Sequence, residues 1–189
     1  MKEDDLTRVL KDLVARFTTA RIRFYLTGGL VSSFYGEPRF TQDIDLVLPL
    51  ADTTDTERLM ACISSDYFVD QELLENAVRE SSMAQLLHKE TFIRIDLHVS
   101  ELIPGTFTRV HPVEIFPGVV IPILSKEDAI LTKLKWIQLG SHKSRRDVVM
   151  MLRRDTPTNL AFIEQQATEL GLSTLLHELQ NQATGSTES

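Results

Sequence analysis

The stretch TGGLVSSFYGEPRFTQDIDLVL, residues 27–48, sets a glycine pair and an Asp-x-Asp on either side of a short helical pattern. LVSSFYG reads as a helix that opens directly from Gly28 and Gly29 and stops at Gly36, with Pro38 as a breaker. In DIDLVLPL, Asp43, Asp45 and Val47 alternate with Ile44, Leu46 and Leu48, a strand periodicity that Pro49 ends. Alternation puts both carboxylates on one sheet face, about 7 Å apart at ~3.3 Å of rise per residue. Charges so close repel, and a divalent cation bound by hard oxygen ligands is the simplest relief. At Gly28 and Gly29 no Cβ blocks the backbone, so N–H groups can approach a phosphate and the helix start adds partial positive charge. The sequence has no GxxxxGK[ST] pattern, so this is a phosphate cradle of another kind. Each feature alone has a plainer reading, a solvated strand face for the carboxylates and a simple turn for the glycines.

Working outward, DLTRVLKDLVARF (5–17) spaces Leu6, Val9, Leu10, Leu13, Val14 and Phe17 as an amphipathic helix, and Arg23–Leu26 is a short β-prone segment leading into the glycines. Beyond the carboxylate strand, TDTERLMACI reads as a helix capped by Thr or Asp, YFVD as a short strand, and QELLENAVRE as a helix or an irregular helical excursion. MAQLLH and FIRIDLHV, joined by Lys89 to Thr91, form a predicted hairpin, and FTRVHPVEIFPGVVIPIL offers two more strands around Pro117 and Gly118. Asp96 interrupts the apolar face of IRIDLH and supplies a third carboxylate inside a strand. Three carboxylates suit phosphoryl transfer, in which metals bridge phosphate oxygens and an acidic group accepts the proton of the attacking hydroxyl.

The texture changes at Ser125. SKEDAILTKLKWIQLG has Ser125 as N-cap, acidic residues in its first turn and Gly140 as its stop, and KSRRDVVMMLRRD, PTNLAFIEQQATELG and LSTLLHELQNQ continue as helices. The expected division is an α/β core over 1–124, a helical part over 125–181 and a frayed tail over 182–189. The fold class is α+β, a mixed sheet with flanking helices followed by a C-terminal helical part.

With 189 residues, 42% hydrophobic and 25% charged, the chain suits one compact domain with an appendage. Apolar runs fall short of the ~18 residues of a membrane span, and the acidic, amphipathic start does not resemble a secretory signal, so a cytoplasmic protein is expected. One cysteine, Cys62, allows no internal disulfide, and no Cys or His pair has zinc spacing. The formal charge of −7 belongs wholly to residues 1–124, whereas 126–154 holds 8 basic against 3 acidic side chains. That balance argues against nonspecific duplex binding but leaves a local basic surface for a phosphate ligand.

As an ordered set, the glycine pair opening a helix, the Asp-x-Asp strand and the later IRIDLH resemble the polymerase-β-like nucleotidyltransferase superfamily. More specifically, RFTQDIDLVL, LSKEDAILTKLKW and SRRDVVMML resemble the small prokaryotic nucleotidyltransferases of the AbiEii toxin type, over roughly residues 22–180. The resemblance implies Asp43, Asp45 and Asp96 as catalytic metal ligands for Mg²⁺ or Mn²⁺. It also implies an NTP bound by Gly28, Gly29, Arg39 and Thr41, and the basic balance of 126–154 makes Lys133 the expected cation for its triphosphate. Gly29 stands where several relatives have serine, which passes the hydroxyl contact to Ser32 or Ser33. The acceptor stays open among tRNA, a protein and a small molecule, and a cognate antitoxin is the implied protein partner. The competing reading is a noncatalytic nucleotidyltransferase-like module that acts by binding a partner. Three mutually repelling carboxylates argue against it.

The cations have plainer readings too. Arg39 can pair with neighbouring Glu37, and Lys133 and Lys135 can snorkel from a helix that packs Leu131, Leu134 and Ile137. Arg145 and Arg146 open a helix where basic charge opposes the macrodipole and Asp147 favours it. His98 shares the face of Asp96, although a surface histidine is the plainer reading; His88, His111, His142 and His177 read as structural. Trp136, Met150 and Met151 read as core.

Overall fold

The structure, a computed structural model, describes residues 4–63 and 65–185. Strands β1 (Tyr25–Leu26), β2 (Asp43–Val47), β3 (Tyr67–Phe68), β4 (Met83–His88), β5 (Arg94–His98), β6 (His111–Phe116) and β7 (Val119–Ile123) form a single mixed sheet of order β3-β4-β5-β2-β1-β7-β6. Helices α1 (Asp5–Thr19), α2 (Gly28–Tyr35), α3 (Thr53–Ile63) and α4 (Gln71–Glu80) are interleaved with the strands. The chain then continues as α5 (Lys126–Gln138), α6 (Lys143–Arg153), α7 (Leu160–Glu169) and α8 (Ser173–Thr184). This is the expected α+β architecture.

The centre of the sheet explains its sequence. β2 pairs with β5 in parallel, so Asp43 stands opposite Arg94, Asp45 opposite Asp96 and Val47 opposite His98. On the other face Ile44, Leu46, Ile95 and Leu97 are fully buried, which fixes the register because a one-residue slip would send every carboxylate into the core. Helix α1 turns Val9, Leu10, Leu13 and Phe17 inward and packs on β7 and α3, while α4 packs on β4. Both edges of the sheet are blunted. β3 has two residues, and β6 carries Pro112 and an irregular register between Glu114 and Phe116.

Helix α5 joins the helical segments to the sheet. The Ser125 hydroxyl accepts from Asp128 N–H, and the Asp128 carboxylate is buried under a two-pronged contact from Arg109 at 2.8 and 2.7 Å. The Lys126 ammonium donates to the carbonyls of Arg154 and Thr156 and to the Thr156 hydroxyl. Ile130, Leu131 and Leu134, fully buried, belong to the same core as Leu26 and Ile44. At ~25 cal/mol per Å² of apolar surface, stripping this cover exposes the sheet at a cost one small domain cannot absorb. Residues 1–124 alone are therefore expected to aggregate or stay unfolded. Size-exclusion chromatography and circular dichroism check this, and a folded monomer with a cooperative melt would show a self-sufficient unit instead.

One open reading is settled, and several element boundaries differ from their sequence reading. QELLENAVRE is a regular helix because the Asp70 side chain caps it, accepting from Leu73 N–H at 3.0 Å. The strand expected from Phe92 begins at Arg94, since Phe92 takes a left-handed turn (φ 57°) and is exposed. PTN leads into α7 rather than starting it, with Asn159 as the cap. Helix α8 runs to Thr184 and ends on left-handed Gly185, so residues 182–184 are helical rather than tail; 186–189 lie outside the described residues. Among the described residues no helix is long and apolar enough to cross a membrane.

Candidate active site

The site is built where α2 begins beside β2. Gly28 has φ 69°, in the left-handed region, and a Cβ there would lie 1.8 Å from Asp45 Oδ2. A Cβ at Gly29 would lie 2.7 Å from the Thr41 hydroxyl and 3.3 Å from Arg39 Nη2. The glycine pair therefore lets Asp45, Thr41 and Arg39 close on the helix N-terminus, and Gly29 N–H donates to Asp45 Oδ2 at 3.3 Å. Gly28→Ala is expected to destabilise the protein by about 1–2 kcal/mol through its backbone alone. It should also displace Asp45 and so lose activity. Thermal melting and a transfer assay on the variant check both parts.

Asp43, Asp45 and Asp96 stand on one face of the paired strands β2 and β5, and Arg94, a group that the sequence reading overlooked, lies between Asp43 and Asp96. Arg94 Nη2 donates to Asp43 Oδ2 at 2.7 Å, and its Nε lies 3.2 Å from Asp96 Oδ1 without the alignment of a hydrogen bond. Asp43 Oδ1 accepts from the Thr41 hydroxyl at 2.6 Å. Burial pushes the Asp43 carboxyl up, but Thr41 and Arg94 outweigh it and hold it below the usual carboxylate range. At Asp96 burial wins despite Arg94, and its proton affinity is raised. His98, two residues after Asp96, places Nε2 3.9 Å from Asp45 Oδ1, so it does reach the site. Among the described residues no group of three or more acidic, His or Cys side chains is closed on a common metal position.

Asp147, on α6, organises the cations. Its carboxylate is 6% exposed and accepts from Arg39 at 2.9 and 3.1 Å, and the Lys133 ammonium lies 3.1 Å away. Burial raises the Asp147 carboxyl, yet the Arg39 hydrogen bond and the Lys133 charge overcome it and leave it below its usual value. This corrects both plainer readings. Arg39 pairs with Asp147, while Glu37 takes Arg146; Lys133 is buried rather than snorkelling, and Lys135 reaches Gln138. One anion and two cations leave a net positive cluster between the loop 36–42 and the helices α5 and α6. Ser32 is less well placed than expected, because its buried hydroxyl donates to Gly28 carbonyl at 2.9 Å, and Ser33 does the same to Gly29. At the far end of α2, Arg154 donates to the carbonyls of Phe34 and Gly36 at 3.1 and 2.7 Å, which satisfies acceptors the helix leaves free.

Two hollows flank the carboxylates. A broad one of about 900 Å³ lies on the Asp43 side, lined by Arg39, Thr41, Arg94 and exposed Phe40 and Phe92. A smaller one of about 240 Å³ lies on the His98 side, under α5. Trp136, expected in the core, is half-buried and lines it.

A mixed sheet carrying these carboxylates beside a glycine-opened helix defines a nucleotidyltransferase-like protein, and solved structures agree in fold. An antigenic nucleotidyltransferase-like protein from Paracoccidioides brasiliensis superposes with a TM-score of 0.56 at 18% identity, covering 93% of this chain and 94% of its own. ANT(2″)-Ia in complex with adenylyl-2″-tobramycin gives 0.51 at 17% identity, with coverage of 95% and 97%. Residues 8–170 match the family described as nucleotidyl transferase AbiEii toxin, type IV TA system, and the chain belongs to that family of nucleotidyltransferases. No curated protein matches the sequence.

Proposed function

We propose that the protein transfers an NMP from an NTP to an acceptor hydroxyl, with release of pyrophosphate, as the toxin of a toxin-antitoxin pair in the cytoplasm. The observation that carries this reading is the register of Asp45 with Asp96 at the N-terminus of α2, where only glycine fits. The donor set suits Mg²⁺ or Mn²⁺: three hard carboxylates, of which Asp96 Oδ1 is buried without a hydrogen-bond partner. Asp43, Asp45 and Asp96 would hold it. When bound, a divalent ion supplies Lewis-acid polarisation of the α-phosphoryl group and offsets charge on the leaving pyrophosphate.

The chain's own residues do the rest. Backbone N–H groups at Gly28 and Gly29, with the dipole of α2, hold phosphate oxygens. The Arg39–Asp147–Lys133 cluster, net positive, faces the triphosphate, and Thr41 and Arg94 orient Asp43. As the acceptor oxygen bonds to the α-phosphorus, the bond to pyrophosphate breaks and the hydroxyl proton passes to a carboxylate. Asp96, whose Oδ1 has no hydrogen-bond partner, takes that step in the alternative where Asp43 and Asp45 alone hold the ion. Acceptors compatible with this chemistry are tRNA, a protein and a small molecule, and the family supports an antitoxin as protein partner.

The test incubates the protein with each NTP labelled at the α- or γ-phosphate, Mg²⁺ or Mn²⁺, and total RNA, lysate protein or lysate small molecules. Transfer of α-label but not γ-label to one fraction is expected. No transfer with any NTP or fraction would favour the noncatalytic binding module.

A further inference from the structure

We infer that the smaller hollow, between the sheet and α5, receives the nucleobase of the NTP; the inference rests on the nucleotidyltransferase reading above. Its position is the first argument. Thr27, the residue immediately before Gly28, lines it, so it opens where the α-phosphate and ribose must lie. His98 connects the two sites, with Nε2 3.9 Å from Asp45 Oδ1 and its ring 6.0 Å from the ring of Trp136 at a 58° tilt. A nucleobase is tied to the reacting phosphorus through the sugar, and His98, which lines this hollow, is the residue that links it to Asp45.

The lining chemistry is the second argument. Apart from the His98 imidazole, no residue around the hollow is ionisable to a charge near neutrality, which disqualifies it for the triphosphate and for a polycationic acceptor. Tyr25, Val47 and Leu124 give apolar walls, Trp136 gives a π-face, and Ser82 and Ser100 bring hydroxyls to the rim. That combination suits a flat heterocycle with donors and acceptors on its edge. At about 240 Å³ the hollow is smaller than the ~300–1,000 Å³ of sites that enclose a whole ligand, so it takes one ring system rather than a complete substrate. The broad hollow beyond Asp43 is then left for the acceptor.

The chain has one tryptophan, and it is the residue at issue. ATP, GTP, CTP and UTP are each titrated with Mg²⁺ while Trp136 fluorescence is followed, with tripolyphosphate as a ligand of similar charge and no base. Equilibrium dialysis measures binding separately. The expected result is quenching of Trp136 by at least one NTP, and binding of tripolyphosphate without quenching. Trp136→Leu and Trp136→Phe keep their affinity for tripolyphosphate within twofold, which also reports that they are folded. Trp136→Leu weakens the NTP by about tenfold, within the range for base–aromatic stacking, and Trp136→Phe by less. If dialysis shows the NTPs bound but none changes Trp136 fluorescence and Trp136→Leu binds them as wild type does, the base lies elsewhere and the nucleotidyltransferase reading stands. If no NTP binds at all, both fail together.

Discussion

Asp45→Asn is expected to slow nucleotidyl transfer by about 10³-fold or more while leaving the melting temperature unchanged or slightly raised. Asp45 faces Asp96 across parallel strands, no Lys or Arg ion pair to it is found among the described residues, and the His98 imidazole lies 3.9 Å away. Removing its charge therefore relieves repulsion and breaks no ion pair, while the amide oxygen can still accept from Gly29 N–H. Asp43 makes a useful contrast. Its charge holds Arg94, whose side chain is 48% exposed, and at such a surface the pair is worth no more than about 1 kcal/mol. Asp43→Asn should therefore lose activity too, with a small loss of stability. Initial rates with labelled NTP and thermal melts of both variants decide the matter, and activity within threefold of wild type for Asp45→Asn would take the carboxylate out of catalysis.

The largest stability effect is expected at Asp147. Truncation to alanine leaves Lys133, whose side chain is 10% exposed, without its counter-charge and frees Arg39 from two hydrogen bonds. Breaking a buried pair from one side costs about 3–5 kcal/mol. The pH dependence has a definite sign. The folded-state proton affinity of Asp147 is lowered, so its contribution is present above the unfolded pKa of ~3.9 and fades as pH falls through the lower folded value. Urea denaturation of wild type and Asp147→Ala should thus give a wide gap at pH 7 that narrows below about pH 4. A gap that persists in acid would mean the loss is one of packing rather than charge.

How much of this was readable beforehand follows from the range of each interaction. Gly28, Gly29, Asp43 and Asp45 lie within one short stretch, and strand alternation fixes their facing directly. Asp96 was legible because the same alternation applies within its own strand. Arg94 carried the same signal, two residues before Asp96 on the same face, but it read as an ordinary strand residue because nothing local reveals a partner 51 positions away. The Arg39 to Asp147 contact spans 108 positions and needs the fold itself. Helical periodicity assigned Trp136 to the core because spacing reports which stripe of a helix faces inward, not whether the space opposite is filled. The Ser32 hydroxyl turns to its own helix for a local reason: a serine one turn into a helix can donate to the carbonyl four residues back.

The ends of the sheet constrain how this enzyme meets other chains. An extra strand needs a row of free backbone N–H and C=O groups, and one border offers two residues while the other is interrupted by Pro112 and a shift in register. Strand donation, whether by a neighbouring copy at high concentration or by a partner seeking a template, finds little to extend. A protein partner would therefore be expected to recognise this molecule through side chains on its helices and loops. Complexes with it should be governed by shape and charge, with the backbone ladder left as it is.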